Sequence, residues 1–286
     1  MTKTFQSTHT ADEIRACLQS GHAVNARDDA GNTALHLAAA HAPSAAVTRV
    51  LLRAGADPDL KNAANRTPMH MAAAHSSDPA QIATLAIWGA EVNKGSIEDE
   101  CWSGQCMTTP LHLAVRRPGA VDVVAALLAA GATADIYAGE DLADISDDLT
   151  EDRYLLPLHL AARHAGVDSV VTLLQAGAEA NAADNGRRAR SALHYASVRK
   201  GGALDLVQAL LDAGASADAA DFEDTTPLIL AASHATDPEV FARLLDAAEE
   251  PFAENERGLT AKIAFDANPA LERDDAYWAL HAVCNE

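Results

Sequence analysis

Twelve histidines, four cysteines and one acid-rich stretch are the residues of this chain with chemistry to offer. Imidazoles hold metals at about 2.0–2.1 Å or move protons. Five of them, His36, His70, His112, His159 and His194, sit in one recurring phrase. His41, His75, His164 and His234 occur once per repeat of that phrase. Packed helices lie roughly 8–10 Å apart, so one histidine per repeat is poorly placed to share a metal. Cys17, Cys101, Cys106 and Cys284 form no CxxC pair, so no zinc site is expected. Cys101 and Cys106 would bridge in an oxidising compartment and stay free thiols in reducing cytosol, and free thiols are the expectation. Residues 140–152 place carboxylates side by side, but an acidic loop supplies no dry pocket to separate their pKa values. Their spacing does not match the EF-hand calcium loop. No Walker loop, HExxH, nucleophile elbow or dinucleotide fingerprint occurs. The expectation is a chain with no catalytic residue, no metal and no cofactor.

The elements that carry these side chains are legible as two phrases in fixed order. The first is Thr33-Ala34-Leu35-His36, Thr67-Pro68-Met69-His70, Thr109-Pro110-Leu111-His112, Leu156-Pro157-Leu158-His159, Ser191-Ala192-Leu193-His194 and Thr226-Pro227-Leu228-Ile229. Successive copies start 34, 42, 47, 35 and 35 residues apart. The second phrase runs Leu51-Leu52-Arg53-Ala54-Gly55-Ala56 in its first full copy and ends at Gly89, Gly131, Gly177 and Gly214 in the next four. The sixth copy, Leu244-Leu245-Asp246-Ala247-Ala248, has lost its glycine.

One repeat can be read physically. The Thr hydroxyl is expected to cap a helix by accepting a first-turn N–H. Pro suits the next position because its missing N–H is not needed there. Leu and the Ala pair face inward. A short turn leads to a second helix with apolar residues such as Val47, Val50, Leu51 and Leu52 at helical spacing. Gly ends it in the left-handed conformation. The chain then reverses as an extended finger, with Asn25, Asp28 and Gly31 as turn formers in the first.

A period near 33 residues carrying T-P-L-H-x-A is the signature of ankyrin repeats, and from about Asp12 to about Ala264 the chain resembles that family. The resemblance implies an all-α ankyrin-repeat solenoid of stacked helix-turn-helix repeats with β-hairpin-like fingers and a concave binding face. It implies that the phrase histidines join hydrogen-bond networks between repeats; Ile229 departs from that pattern, and Leu156 replaces the capping Thr. The two residues after each Ala pair would point to the concave side: Ala40-His41, Ala74-His75, Arg116-Arg117, Arg163-His164, Val198-Arg199 and Ser233-His234. That row is basic in an acidic protein. It would either receive acidic groups, those of a partner or of the chain's own long acidic fingers folded over it, or complement helix dipoles, since cations near a helix C-terminus are stabilising.

The expected organisation is a single domain over 1–286. Residues 10–24 form an N-terminal capping helix, 25–251 about six repeats, and 252–286 a degenerate repeat and C-terminal cap. Two fingers are enlarged, near 91–108 and 135–155. The first holds Trp102, a residue type enriched at binding hot spots. The second holds seven acids within 139–152, interleaved with Leu142, Ile145 and Leu149. Insertions into a repeat array map to one face of it.

With 21 basic and 41 acidic residues the net charge is −20. Such a field repels nucleic acid and anionic membranes and favours a basic protein partner. No apolar run is long enough to span a membrane, and residues 1–9 lack the apolar core of a secretory signal. A cytoplasmic chain, monomeric alone, is expected. The reading is a non-enzymatic protein-interaction scaffold whose contact residues are Trp102, Arg116, Arg117, Arg163, Glu140, Asp141, Asp147 and Asp148, with Arg27 and Phe222 as lesser contacts. The alternatives are an inhibitor or immunity protein that blocks a basic enzyme with its acidic finger, or a secreted effector acting on a host protein.

Overall fold

The computed structural model describes residues 11–97, 107–140, 153–185, 188–269 and 271. The chain divides into two compact units, residues 1–139 and 140–286.

The first unit opens with α1 (Ala11–Gln19). Three helix pairs follow: α2 (Ala34–His41) with α3 (Ala45–Arg53), α4 (Pro68–His75) with α5 (Pro79–Ile87), and α6 (Pro110–Val115) with α7 (Val121–Ala129). Two strands, β1 (Ser96–Ile97) and β2 (Met107–Thr108), stand between α5 and α6 and pair antiparallel, Ser96 opposite Thr108. First helices stack on first helices, α2 on α4 on α6. Second helices do likewise, α1 on α3 on α5 on α7. The strand β3 (Ala138–Glu140) spans the division between the units.

The second unit begins with β4 (Arg153–Leu155). It pairs α8 (Pro157–His164) with α9 (Val167–Gln175), α10 (Ala192–Ser197) with α11 (Ala203–Asp212), and α12 (Pro227–His234) with α13 (Pro238–Ala247). It closes its described part with α14 (Ala261–Ala267). The two layers recur: α8, α10, α12 and α14 in one, α9, α11 and α13 in the other.

Thin layers explain the composition. Leu35, Met69 and Leu111 of the first helices and Leu51, Leu85 and Leu127 of the second are fully enclosed. Beside them, Ala38, Ala39, Ala72, Ala73 and Ala114 are buried with no bulk, which lets neighbouring helices approach closely. Second helices start on side-chain caps where the turn offers one. The Asp78 carboxylate accepts the Ala80 N–H at 2.9 Å, and that of Asp237 accepts the Glu239 N–H at 3.0 Å. In the first finger Gly31 is obligatory twice over. Its φ is +74°, and a Cβ there would lie 2.7 Å from the Ala63 backbone nitrogen of the next finger.

The start of the first helices differs from expectation. In the copies with histidine, the Thr or Ser backbone N–H donates to histidine Nδ1: Thr33 to His36 at 3.1 Å, Thr67 to His70 at 3.2 Å, Thr109 to His112 at 3.2 Å and Ser191 to His194 at 3.1 Å. An Nδ1 that accepts is unprotonated, so the hydroxyl 2.7–2.9 Å away donates to it as well. The hydroxyl therefore serves the imidazole as a donor, within a capping box that the histidine closes in place of the usual Glu or Gln. Where histidine is missing the ordinary cap returns: the Thr226 hydroxyl accepts from Ile229 N and that of Thr260 from Ile263 N, both at 3.3 Å. Leu156 has no hydroxyl, yet α8 starts in the same place because its backbone N–H still reaches His159 Nδ1 at 3.1 Å.

Candidate partner-binding surface

With Nδ1 accepting, each phrase histidine carries its proton on Nε2 and donates it to the base of the next finger. The acceptors are the carbonyls of Arg66 (from His36, 3.0 Å), Thr108 (from His70, 3.0 Å), Ile136 (from His112, 2.8 Å), Ala182 (from His159, 2.9 Å) and Thr225 (from His194, 3.0 Å). Burial disfavours the charged ring. It holds His70 and His194 down to about 4 and pulls His36 and His159 below the ordinary value. These five imidazoles are structural pins.

The pins also fix both enlarged fingers at their bases. The Thr108 carbonyl receives Ser96 Oγ at 3.1 Å together with His70, so β1 and β2 are keyed to α4. Gly95 belongs to the same base, where a Cβ would meet Met107 Cβ at 2.5 Å. Ile136, two residues before β3, is held by His112. Trp102, Asp141, Asp147 and Asp148 lie outside the described residues, as do Cys101, Cys106 and the closing segment 272–286. Glu140 is the last residue of β3.

The basic row falls at the C-terminal ends of the first helices. His41 and His75 end α2 and α4, and Arg116 and Arg117 follow α6. His41, His75 and Arg116 are exposed and Arg117 is half-buried. The His41 and His75 rings stand 5.7 Å apart between centroids, closer than helix spacing alone suggests, because both end their helices at the same level and reach across the gap. Partial burial, then repulsion from His41, Arg117 and Arg66, lowers the His75 pKa. Among the described residues no three His, Cys, Asp or Glu side chains gather as a metal would require. In the second unit Arg163 and His164 are half-buried at the end of α8, and His234 is exposed at the end of α12.

Two of the arginines have a structural task. Arg117 Nη1 donates to the carbonyls of Ala73 and Ser76 at 2.8 and 2.9 Å, closing the C-terminal end of α4. Arg199 does the same for α8 through Ala162 and Ala165. Asn268 closes α12 through Ala232 and Ala235 at 3.0 and 3.2 Å, and Gln81 closes α2 through Ala38 and Ala42 at 3.4 and 3.3 Å. Each cap comes from the following repeat, so it fastens one repeat to the next. Arg27 likewise bridges fingers, donating to the Lys61 carbonyl at 2.5 Å.

A second inter-repeat ladder escaped the sequence reading. Four residues after the repeat glycine stands Asn or Asp: Asn25, Asp59, Asn93, Asn181 and Asp218. Asn25 Oδ1 accepts Asp57 N at 3.0 Å, Asp59 accepts Glu91 N at 3.0 Å, and Asn93 accepts Thr133 N at 2.9 Å. Asn181 accepts Ser216 N at 2.8 Å, and Asp218 takes Glu249 N and Glu250 N at 2.8 and 3.0 Å. Asn25, read as a turn former, is thus the first rung of this ladder. The fixed offset from glycine was the signal that would have found it.

Large apolar side chains also reach solvent: Phe222 at 67% exposure on a fingertip, and Ile87 and Trp88 at 82% and 42% at the end of α5. Sequence reading named the first and passed over the pair. The signal was present, because the same two positions of the second phrase read Arg53-Ala54, Ala129-Ala130, Gln175-Ala176 and Asp212-Ala213 elsewhere.

Comparison with known families matches residues 19–72 to ankyrin repeats (many copies), residues 108–139 to an ankyrin repeat and residues 158–255 to ankyrin repeats (3 copies). No curated protein matches the chain. No helix among the described residues is long and apolar enough to cross a membrane. The matches together span more than half the sequence, and they fall on the stacked helix pairs and imidazole pins described above. On those grounds the chain belongs to the ankyrin repeat family, an all-α repeat fold whose members generally serve as protein–protein interaction modules.

Proposed function

We propose that the chain is a non-enzymatic scaffold that grips a protein partner along the ends of its first helices and with its two enlarged fingers. One observation supports this above the rest: His41, His75 and Arg116 stand exposed at consecutive helix ends in a chain of net charge −20. Exposed imidazole donors beside the Arg116 charge, on so acidic a background, are an address for acidic groups of a partner. The carboxylates of the second finger offer the opposite charge to a basic stretch. The contacts are Trp102, Arg116, Arg163, Glu140, Asp141, Asp147 and Asp148. Arg117 adds its charge from the helix end it closes. The chain acts as a monomer and as a single domain over residues 1–286.

The test is affinity capture with the intact chain, identification of the partner by mass spectrometry, and calorimetry with altered chains. Removing residues 139–152, or combining Arg116→Glu with Arg163→Glu, should each weaken binding at least about tenfold, or about 1.4 kcal/mol. Unchanged affinity in both would overturn the reading. The seven acids of residues 139–152 favour one narrower role, inhibition of a basic enzyme. In that case the partner is an enzyme silenced in a one-to-one complex and released from inhibition when 139–152 is removed.

A further inference from the structure

The end of α5 carries an apolar pair that the fold does not require. Its inward residues are Ile82 and Leu85, both fully buried. Ile87 and Trp88 point away from that core, 82% and 42% exposed. The neighbouring second helices, α3 and α7, end on Arg53-Ala54 and Ala129-Ala130. Alanine next to Trp88 on both sides of the stack leaves the indole standing above its neighbours. An isolated exposed apolar residue needs no explanation, but Ile and Trp together, where other copies hold polar or small residues, mark a contact surface.

The surroundings of the pair are acidic. Glu91 follows Trp88 by three residues, and its backbone N–H is held by Asp59 Oδ1. Asp57 Oδ1 in turn accepts the Asp59 N–H at 2.9 Å. Glu91 Oε1 lies 3.0 Å from Lys94 Nζ. That hydrogen bond, with Asp59 and Asp57 near by, raises the Lys94 pKa. Lys61 Nζ donates to the Gly95 carbonyl, one residue beyond Lys94, at 3.0 Å, so three carboxylates stand against two ammoniums and leave a local surplus of negative charge.

We propose that Ile87 and Trp88 anchor a basic segment of a protein partner, an Arg or Lys of that segment lying on the indole face while the Asp57, Asp59 and Glu91 carboxylates complement its remaining charge. Tryptophan is the best aromatic platform for a cation, and acidic neighbours add to the attraction. A second copy of this chain is a poor occupant. Each copy carries −20, and two side chains fall far short of the roughly 800 Å² per partner of a stable interface. The anchor is separate from the helix-end row and the second enlarged finger, shares only Glu91 with the start of the first, and does not depend on their role.

The probe is a peptide of alternating Arg and Leu, with its Glu and Leu counterpart as control, titrated against the full chain at physiological salt. The Arg peptide should bind and the Glu peptide should not. Trp88→Ala should weaken Arg-peptide binding about tenfold or more, and Glu91→Gln with Asp57→Asn about threefold. Ala occupies this position in the other copies, so Trp88→Ala keeps the fold, which far-UV circular dichroism checks. Arg116→Glu should leave the peptide affinity unlowered, which separates this anchor from the helix-end row. Trp88→Ala affinity within twofold of the parent would overturn the proposal. So would a dimer of the parent chain in sedimentation that Trp88→Ala dissolves.

Discussion

The phrase imidazoles are neutral, buried and doubly engaged, and their protonation is the most direct lever on the fold. An unfolded imidazole titrates near 6.5. Those of His70 and His194 are held down to about 4 when folded, burial being the main cause. Between those values the unfolded chain binds protons that the folded chain refuses. Stability is therefore fully present above about pH 6.5 and is lost as pH falls towards 4. The two groups together account for a loss of up to about 6 kcal/mol, about 3 from each. Urea unfolding at pH 7.5, 5.5 and 4.5 should show a steadily falling midpoint; a flat midpoint would contradict the assigned network. His70→Ala leaves the buried Thr67 N–H without its acceptor and a gap beneath β2. It should cost about 2–4 kcal/mol at pH 7.5 and make the pH dependence shallower. The repeated phrase placed these histidines at helix starts, and the family resemblance implied a network between repeats. Neither revealed that the hydroxyl serves the ring, because that depends on which nitrogen carries the proton.

At the scale of the element, four first helices, α2, α4, α8 and α12, are each finished by a side chain from the next repeat. The sequence offered two readings of the cations at these ends, partner contact and dipole complement. Arg117 and Arg199 follow the second in a modified form, closing the neighbour's helix rather than their own. A one-dimensional pattern cannot tell these apart, because the carbonyls involved lie about 40 residues away. Gln81 was less legible still. It reads as a polar residue of a second helix, yet it is fully buried between Thr48 Oγ1 at 2.6 Å and the last turn of α2. Arg117→Met should keep the stem and remove both bonds to α4, costing about 1–2 kcal/mol because water can reach the freed carbonyls. Gln81→Leu should cost more, about 2–3 kcal/mol, since Thr48 and the α2 carbonyls lose a partner in a dry setting. Denaturant midpoints of the two variants in parallel give the ordering, and the reverse ordering would refute the burial argument.

For the whole molecule, the helix pairs and their order followed from phrase and period. What repetition cannot encode is whether the two compact units, residues 1–139 and 140–286, behave as one. Repeat arrays gain stability from nearest-neighbour contacts, so an array coupled throughout passes a local loss along its length. Leu111, fully buried in α6 of the first unit, is a suitable place to introduce that loss. Leu111→Ala removes an enclosed side chain and should destabilise by about 2–5 kcal/mol. Hydrogen exchange then reads each unit separately, through amides of residues 68–75 in the first and 192–197 in the second. The proposed single domain requires both sets to lose protection by similar free energies. If only the first set responds, the units unfold independently, and a partner could be held by one of them while the other opens.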